Sequence, residues 1–367
     1  MPNEQLFKIL KQDVTTYFEK TGKSRFADGL LWTKLIVFSL IAASGYILLL
    51  TEGQNSLLIV LAGYLIFSIG MALFVVTVAH DASHKALFKS KTANTFMSYS
   101  WNLLGISREL WEIKHHHSHH IYTNIPHEDV DIEENPLLRF SSSYTYRSHY
   151  KYQQFYAPFL YLMFGIFIVY ARDFIMLFGK KLDGHSRSKL PRHFLLQLIA
   201  TKLFFFTIAF VIPYLILPFA WWQILTFHFI SLAIGGSLLL LVLVVPHLNE
   251  DAALHDANIS IKDQNDWALH QIYSTVDSSP DNRLLNWLTG GLNTHLIHHL
   301  FPNICHVHYR DLTKIIKNRL QEKGIPYKEK TFSGTLAAHF KYLKLMGIKP
   351  EKYEDIKISN LAMGKAL

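Results

Sequence analysis

Cysteine is almost absent from this 367-residue chain, where Cys305 stands alone. One thiol excludes an internal disulfide and any cysteine-ligated zinc or iron–sulfur site, so a metal here must be held by histidine and carboxylate. Charge is also scarce: Asp, Glu, Lys and Arg make up 17% of the residues, half are apolar, and the mean hydropathy is +0.15. That balance is too apolar for an ordinary soluble globule and points to a membrane protein. The opening segment, "MPNEQLFKILKQDVTTYFEK", lacks the basic start, apolar core and small-residue cleavage site of a signal peptide. It is expected to stay on the chain, on the cytoplasmic side. Repeats and low-complexity linkers are missing too, which implies a single domain over residues 1–367. The net charge of +8 is read as the basic bias of cytoplasmic loops, and no nucleic-acid partner is expected.

Long apolar runs are present. A membrane helix needs about 20 mostly apolar residues, and residues 31–50 and 56–78 both qualify, joined by the short turn "TEGQN". A second pair, about 194–217 and 224–245, is joined by "PFAWWQ". Neither turn contains Lys or Arg, whereas Lys8, Lys11, Lys20, Lys23 and Arg25 precede the first run. The positive-inside rule therefore puts both termini and the central loop in the cytoplasm. Lys34 and Lys202 fall inside the apolar windows near their cytoplasmic ends, where long stems are expected to snorkel. A fifth run, Phe155 to Phe178, contains Arg172 and Asp173, and a fifth crossing would turn the basic tail outward. It is expected to lie in the interface, as is Asn94 to Ser107. The predicted fold is an all-α membrane protein: four transmembrane helices in two hairpins, interfacial helices, and a cytoplasmic helical cap drawn from 1–30, 79–193 and 246–367 that holds the metal site.

Histidine, at 21 residues, is abundant and clustered. His80 and His84 in "HDASH" directly follow the second run, and on a continuing helix positions i and i+4 share a face. "KHHHSHHIYTN" repeats that spacing with His115 and His119, and His120 follows. In "GGLNTHLIHHLFPN", His295, His298 and His299 are spaced i, i+3, i+4. A polyhistidine sponge would gather its rings in one flexible loop; these are divided among three segments on the same predicted side of the membrane. They suffice for two metal ions, and imidazole suits iron, copper, zinc or nickel.

These three segments resemble the histidine boxes of the membrane-bound fatty acid desaturases, in their H-x3-H, H-x3-H-H and H-x2-H-H forms. Trp111 four residues before the second box, "YTN" after it, and "GGLN" and "LFP" around the third match as well, and with "WALHQIYSTVD" the chain is most similar to bacterial-type acyl desaturases. The resemblance covers about residues 26–317. It implies a non-haem centre of two irons that uses O2 and two electrons to insert a cis double bond into an acyl chain, and hence an enzyme of lipid metabolism in the bacterial cytoplasmic membrane. It also tilts His247, in "LVLVVPHLNED", toward metal ligation, since His247 ends its apolar run as His80 ends an earlier one. The candidate ligands are then His80, His84, His115, His119, His120, His247, His295, His298 and His299. Ligating rings need partners for their second nitrogens, and Asp81, Glu112, Asp129, Asp131, Asp251 and His270 are the candidates.

The sequence departs from the family pattern in two places. His116 and His117 fill the second box, so a count from His116 gives H-x2-H-H, while Trp111 favours the register from His115. The third box opens with His295, where desaturases fused to cytochrome b5 often have Gln, and no "HPGG" haem motif occurs. Electrons are expected from a separate protein, such as a ferredoxin or cytochrome b5. The acyl chain is expected as a CoA ester, a carrier-protein ester or a membrane lipid. A hydroxylase or related oxygenase shares the boxes and stays an alternative. A histidine-rich metal transporter fits less well, because the four predicted spans contain no Asp or Glu.

Overall fold

The computed structural model describes residues 5–179, 190–252, 261, 263–351 and 353. The extreme termini and the stretch around His185, both expected in the cytoplasm, lie outside them. The described residues are mostly helical, and their only β-structure is a parallel pairing of Asp277–Ser278 with Glu329–Lys330. Among the described residues, five helices are long and apolar enough to cross a membrane: Gly29–Thr51, Leu57–Ser83, Ser148–Phe178, Phe194–Ile216 and Trp221–Leu243. Four of them match the predicted runs to within a few residues. Ser148–Phe178, which contains the run Phe155 to Phe178 expected in the interface, meets the same length and apolarity criteria.

The chain forms two compact units. One comprises Phe26–Ile113 and Phe159–Leu240. Its first helical hairpin is specified locally: the Asp28 carboxylate accepts from the amides of Leu30 and Leu31, and the Ser56 hydroxyl accepts from that of Leu58, which satisfies donors that a helix start leaves open. Small residues let the two helices approach closely, since a methyl group on Gly63 would strike the backbone of Leu49. Where the wider turn at Thr207–Val211 interrupts Phe194–Ile216, the hydroxyls of Tyr46 and Tyr64 donate to the carbonyls of Ile208 and Ala209 at 2.9 and 2.7 Å. Lys34 and Lys202 do not snorkel. Lys34 is buried, and the Lys202 ammonium is held 2.7 Å from the buried Asp173 carboxylate, which Arg172 also engages. A fixed acceptor set has replaced water as its partner.

The other unit comprises Met1–Arg25, Lys114–Pro158 and Leu241–Leu367. Its helices are amphipathic. Tyr309–Glu322 buries Tyr309, Leu312, Thr313, Ile316 and Leu320, the i, i+3, i+4, i+7 pattern of a one-sided helix. Each large apolar side chain so buried contributes about 1.5–3 kcal/mol. These residues pack with Leu6 and Leu10 of Leu6–Thr21 and with Ile272 of Gln264–Ser274 around Leu296 and Leu300. The short helix His295–Leu300 is thereby clamped by its apolar residues, and its histidines take the remaining directions.

Candidate metal centre

The second histidine cluster sits on a wound-out helix. Arg108–Glu112 runs into a π-helical stretch, Ile113–His119, and then His120–Tyr122. With i→i+5 winding, residues four and five beyond His115 both come round to its face. The His115 ring lies 5.7 Å from that of His119 and 4.5 Å from that of His120. His115 is buried and His117 exposed, and His115, unlike His116, belongs to the converging set. Nε2 of His120 is 3.1 Å from Nε2 of His115 and 3.0 Å from Nε2 of His298.

A second convergence joins His119, His247, His295 and His299: each offers a ring nitrogen within 4.8 Å of the other three, and all four are buried. The far side of each ring faces a hydrogen-bond acceptor. Nδ1 of His247 is 3.1 Å from the Ser274 carbonyl, and Nδ1 of His295 is 2.8 Å from the Leu292 carbonyl. Carbonyls only accept, so both Nδ1 atoms carry the proton and both Nε2 atoms keep a lone pair. Nδ1 of His119 donates toward Asp129, at 3.2 Å from Oδ2, and Nδ1 of His299 lies 2.8 Å from Gln271 Oε1. The Nε2 atoms of His247 and His299 are buried with no hydrogen-bond partner. Such orphaned polar atoms are costly in a protein core, and a bound cation relieves them. Four ring nitrogens within 4.8 Å of one another fit a transition metal.

Electrostatics supports this division of roles. His247 and His299 are held well below the ordinary histidine range by burial and then by neighbouring rings, which keeps them neutral, as metal ligation requires. Burial also pulls His119 down, but Asp129, by charge and hydrogen bond, and then Asp131 outweigh it and leave it raised.

His80 and His84 lie in the other unit, adjacent on their helix with ring centroids 4.9 Å apart. Of the six expected supporting residues, Asp129 also accepts from the amides of Asn124 and Asp131, and Asp131 approaches His119 Nδ1 at 3.4 Å. Asp81 is buried, with Oδ1 3.7 Å from His80 Nδ1. His270 Nε2 lies 2.7 Å from the Thr123 carbonyl. Glu112 is instead paired with Arg108 at 2.9 Å, and Asp251 with Lys330 at 2.7 Å. Sequence reasoning missed Gln271, although it adjoins His270 in "WALHQ", and it missed the carbonyls of Ser274 and Leu292, which leave no mark in side-chain identity.

A small apolar cleft shares Leu292 with the surroundings of the cluster. Leu241 in the last turn of Trp221–Leu243, Val245 just beyond it, Leu285, Phe332 and Leu336 line it, together with Leu292, whose carbonyl orients His295.

Membrane-length apolar helices together with a buried site built of histidine define an integral-membrane protein suited to a transition metal. The fatty acid desaturase family model matches residues 55–331, and the chain belongs to that family. It is an oxidoreductase acting on fatty acyl chains. It is 30% identical to the sn-1 linoleoyl-lipid 6-desaturase of Arthrospira platensis over 94% of this chain and 93% of that one. It is also 30% identical to the protein of the same name from Synechocystis sp., over 93% and 95%. The probable Delta(5) fatty acid desaturase C of Dictyostelium discoideum is 28% identical over 94% of this chain and 76% of its own length.

Proposed function

We propose that the protein is an acyl-lipid desaturase that inserts a cis double bond into the fatty acyl chain of a membrane lipid, using two irons held by His80, His84, His115, His119, His120, His247, His295, His298 and His299. The observation that carries this reading is the set of four buried imidazoles whose outer nitrogens are already engaged. Iron bound there supplies, with O2 and two electrons, the oxidising power to remove two hydrogens from an unactivated chain. The protein's own part is to hold neutral rings in fixed tautomers, to exclude water and to present the chain. Leu241, Val245, Leu285, Leu292 and Leu336 offer an apolar wall, and the carbonyl of Leu292 meets His295. The names of the similar cyanobacterial proteins favour a lipid-bound substrate. A separate electron-transfer protein, a ferredoxin or cytochrome b5, is the proposed reductant.

The proposed topology is four crossings with all three histidine boxes in the cytoplasm of a bacterium, and parity supports it. His119 and His247 meet in one cluster, yet three membrane-length helices separate them in sequence. Residues on one side of a membrane are separated by an even number of crossings, which favours a reading in which one of the three does not cross. Ser148–Phe178, which carries Arg172 and Asp173, is the one assigned to the interface.

The test is expression in a host with simple lipids, followed by fatty-acid analysis with double-bond location and metal analysis of the purified protein. A new cis-unsaturated acid and about two irons per chain are expected, with both lost in His119→Ala and His299→Ala. A hydroxylated product would refute the desaturase assignment, and full turnover by either variant would refute the ligand set.

A further inference from the structure

We propose that Gln271 is a positioning residue that fixes the tautomer of His299 and ties it to the second histidine box, an inference that rests on the metal-site reading above. Gln271 is fully buried on the helix Gln264–Ser274. Its side-chain amide has two faces, and the surroundings allow only one orientation. On one side stands the His120 carbonyl, 3.2 Å from Gln271 Nε2, which also accepts from the Trp267 indole at 3.0 Å. A carbonyl has no proton to give. Turning the amide over would set its oxygen against that carbonyl and lose the bond, so the NH2 group faces His120 and Oε1 faces His299.

The consequence passes to the ring. Oε1 lies 2.8 Å from His299 Nδ1 and can only accept, so Nδ1 carries the proton and Nε2 is left bare toward His119, His247 and His295. The Thr123 hydroxyl, 3.0 Å from Oε1 and 2.6 Å from the His119 carbonyl, packs beside the same amide. One amide thus reads the backbone of the second box and sets the proton of a ligand in the third. His247 and His295 obtain the same setting from carbonyls, which no substitution removes. At His299 it depends on a side chain, and that makes the role testable.

Removing an outer hydrogen-bond partner of a metal ligand typically costs about 10–100-fold in metal affinity. Full-length protein in detergent, stripped by a chelator and titrated anaerobically with ferrous iron, gives the measurement. Gln271→Met keeps the volume and removes the bonds to His120, His299 and Thr123; Gln271→Glu, as the neutral acid, keeps an acceptor toward His299 and a donor toward the His120 carbonyl. Gln271→Met is expected to weaken one iron by about 10–100-fold, with Gln271→Glu within about threefold of the parent. Melting of the metal-free proteins reports packing separately. Parent-like iron affinity in Gln271→Met overturns the proposal, and so does an equal loss in both variants, which would reduce Gln271 to packing. If Gln271→Met does not fold, Gln271→Ala, which removes the same bonds with a smaller side chain, takes its place: a loss of about tenfold or more supports the role and parent-like affinity overturns it. A parent protein that binds no iron would overturn the metal-site reading itself, and this role with it.

Discussion

His339 is an imidazole outside the metal cluster, fully buried with Nδ1 2.5 Å from the Leu248 carbonyl. Burial pushes it down to about 4, against about 6.5 in an unfolded chain. Between those values the unfolded state binds a proton that the folded state refuses, so the stability present above pH 6.5 is lost as pH falls toward 4. The loss reaches about 2 kcal/mol by pH 5. Apparent melting temperature should therefore drop more steeply from pH 7 to pH 5 in the parent than in His339→Gln; equal slopes would assign the acid sensitivity elsewhere. Asp129 acts by contact with a proposed ligand. Its carboxylate receives His119 Nδ1 and the amides of Asn124 and Asp131. Asp129→Ala should weaken iron binding by about 10–100-fold, and an iron titration unchanged from the parent would show that His119 needs no such anchor.

The helix His295–Leu300 begins at Thr294, whose side chain makes no cap. The cap comes from a distance: Asp277 Oδ1 accepts from the Leu296 amide at 2.9 Å, while Tyr327 donates to Oδ2 at 2.5 Å. Asp277→Ala should cost about 1–2 kcal/mol, visible as a lower melting temperature of the metal-free protein, with Asp277→Asn milder because it still accepts. Equal stability in all three would deny the cap. How much of such elements the sequence discloses depends on the physics behind each. The apolar helices were legible from composition and length, and the histidine boxes from spacing, because those properties belong to the residues themselves. The π-helical stretch Ile113–His119 was not legible, since its side chains suit an ordinary helix equally well. Nor was the burial of Lys202, whose acceptor Asp173 lies 29 residues away in sequence. An isolated lysine in an apolar run looks as though it must reach water, and only packing reveals a partner. The remote cap at Asp277 belongs with these.

At the scale of the whole molecule, four crossings with the histidine boxes in the cytoplasm assign a side of the membrane to each loop. Gln54 and Pro218 are exposed residues in or beside the two tight turns, and Thr145 is exposed between the second box and the apolar part of Ser148–Phe178. The native thiol, Cys305, is buried. Single cysteines at Gln54 and Pro218 should react with an impermeant maleimide from outside intact cells, and one at Thr145 only after the membrane is opened. Outside labelling of Thr145→Cys would remove the four-crossing topology while leaving the chemistry of the histidine cluster untouched.

The widened turn at Ile113–His119 has a consequence for how the box tolerates change in length. Deleting a residue from a regular helix rotates everything beyond it by about 100°. A π-helical turn holds one residue more than an α-helical turn, so here a deletion has somewhere to go. Removing the exposed His117 should relax the stretch to ordinary winding, with His115 and His120 brought to i, i+4 and still on one face. The H-x3-H-H and H-x2-H-H spellings would then be two lengths of one arrangement. A His117 deletion that retains iron, beside an insertion of one residue in the regular helix Tyr309–Glu322 that does not fold, would show that the box conserves a direction in space and leaves its count of residues free.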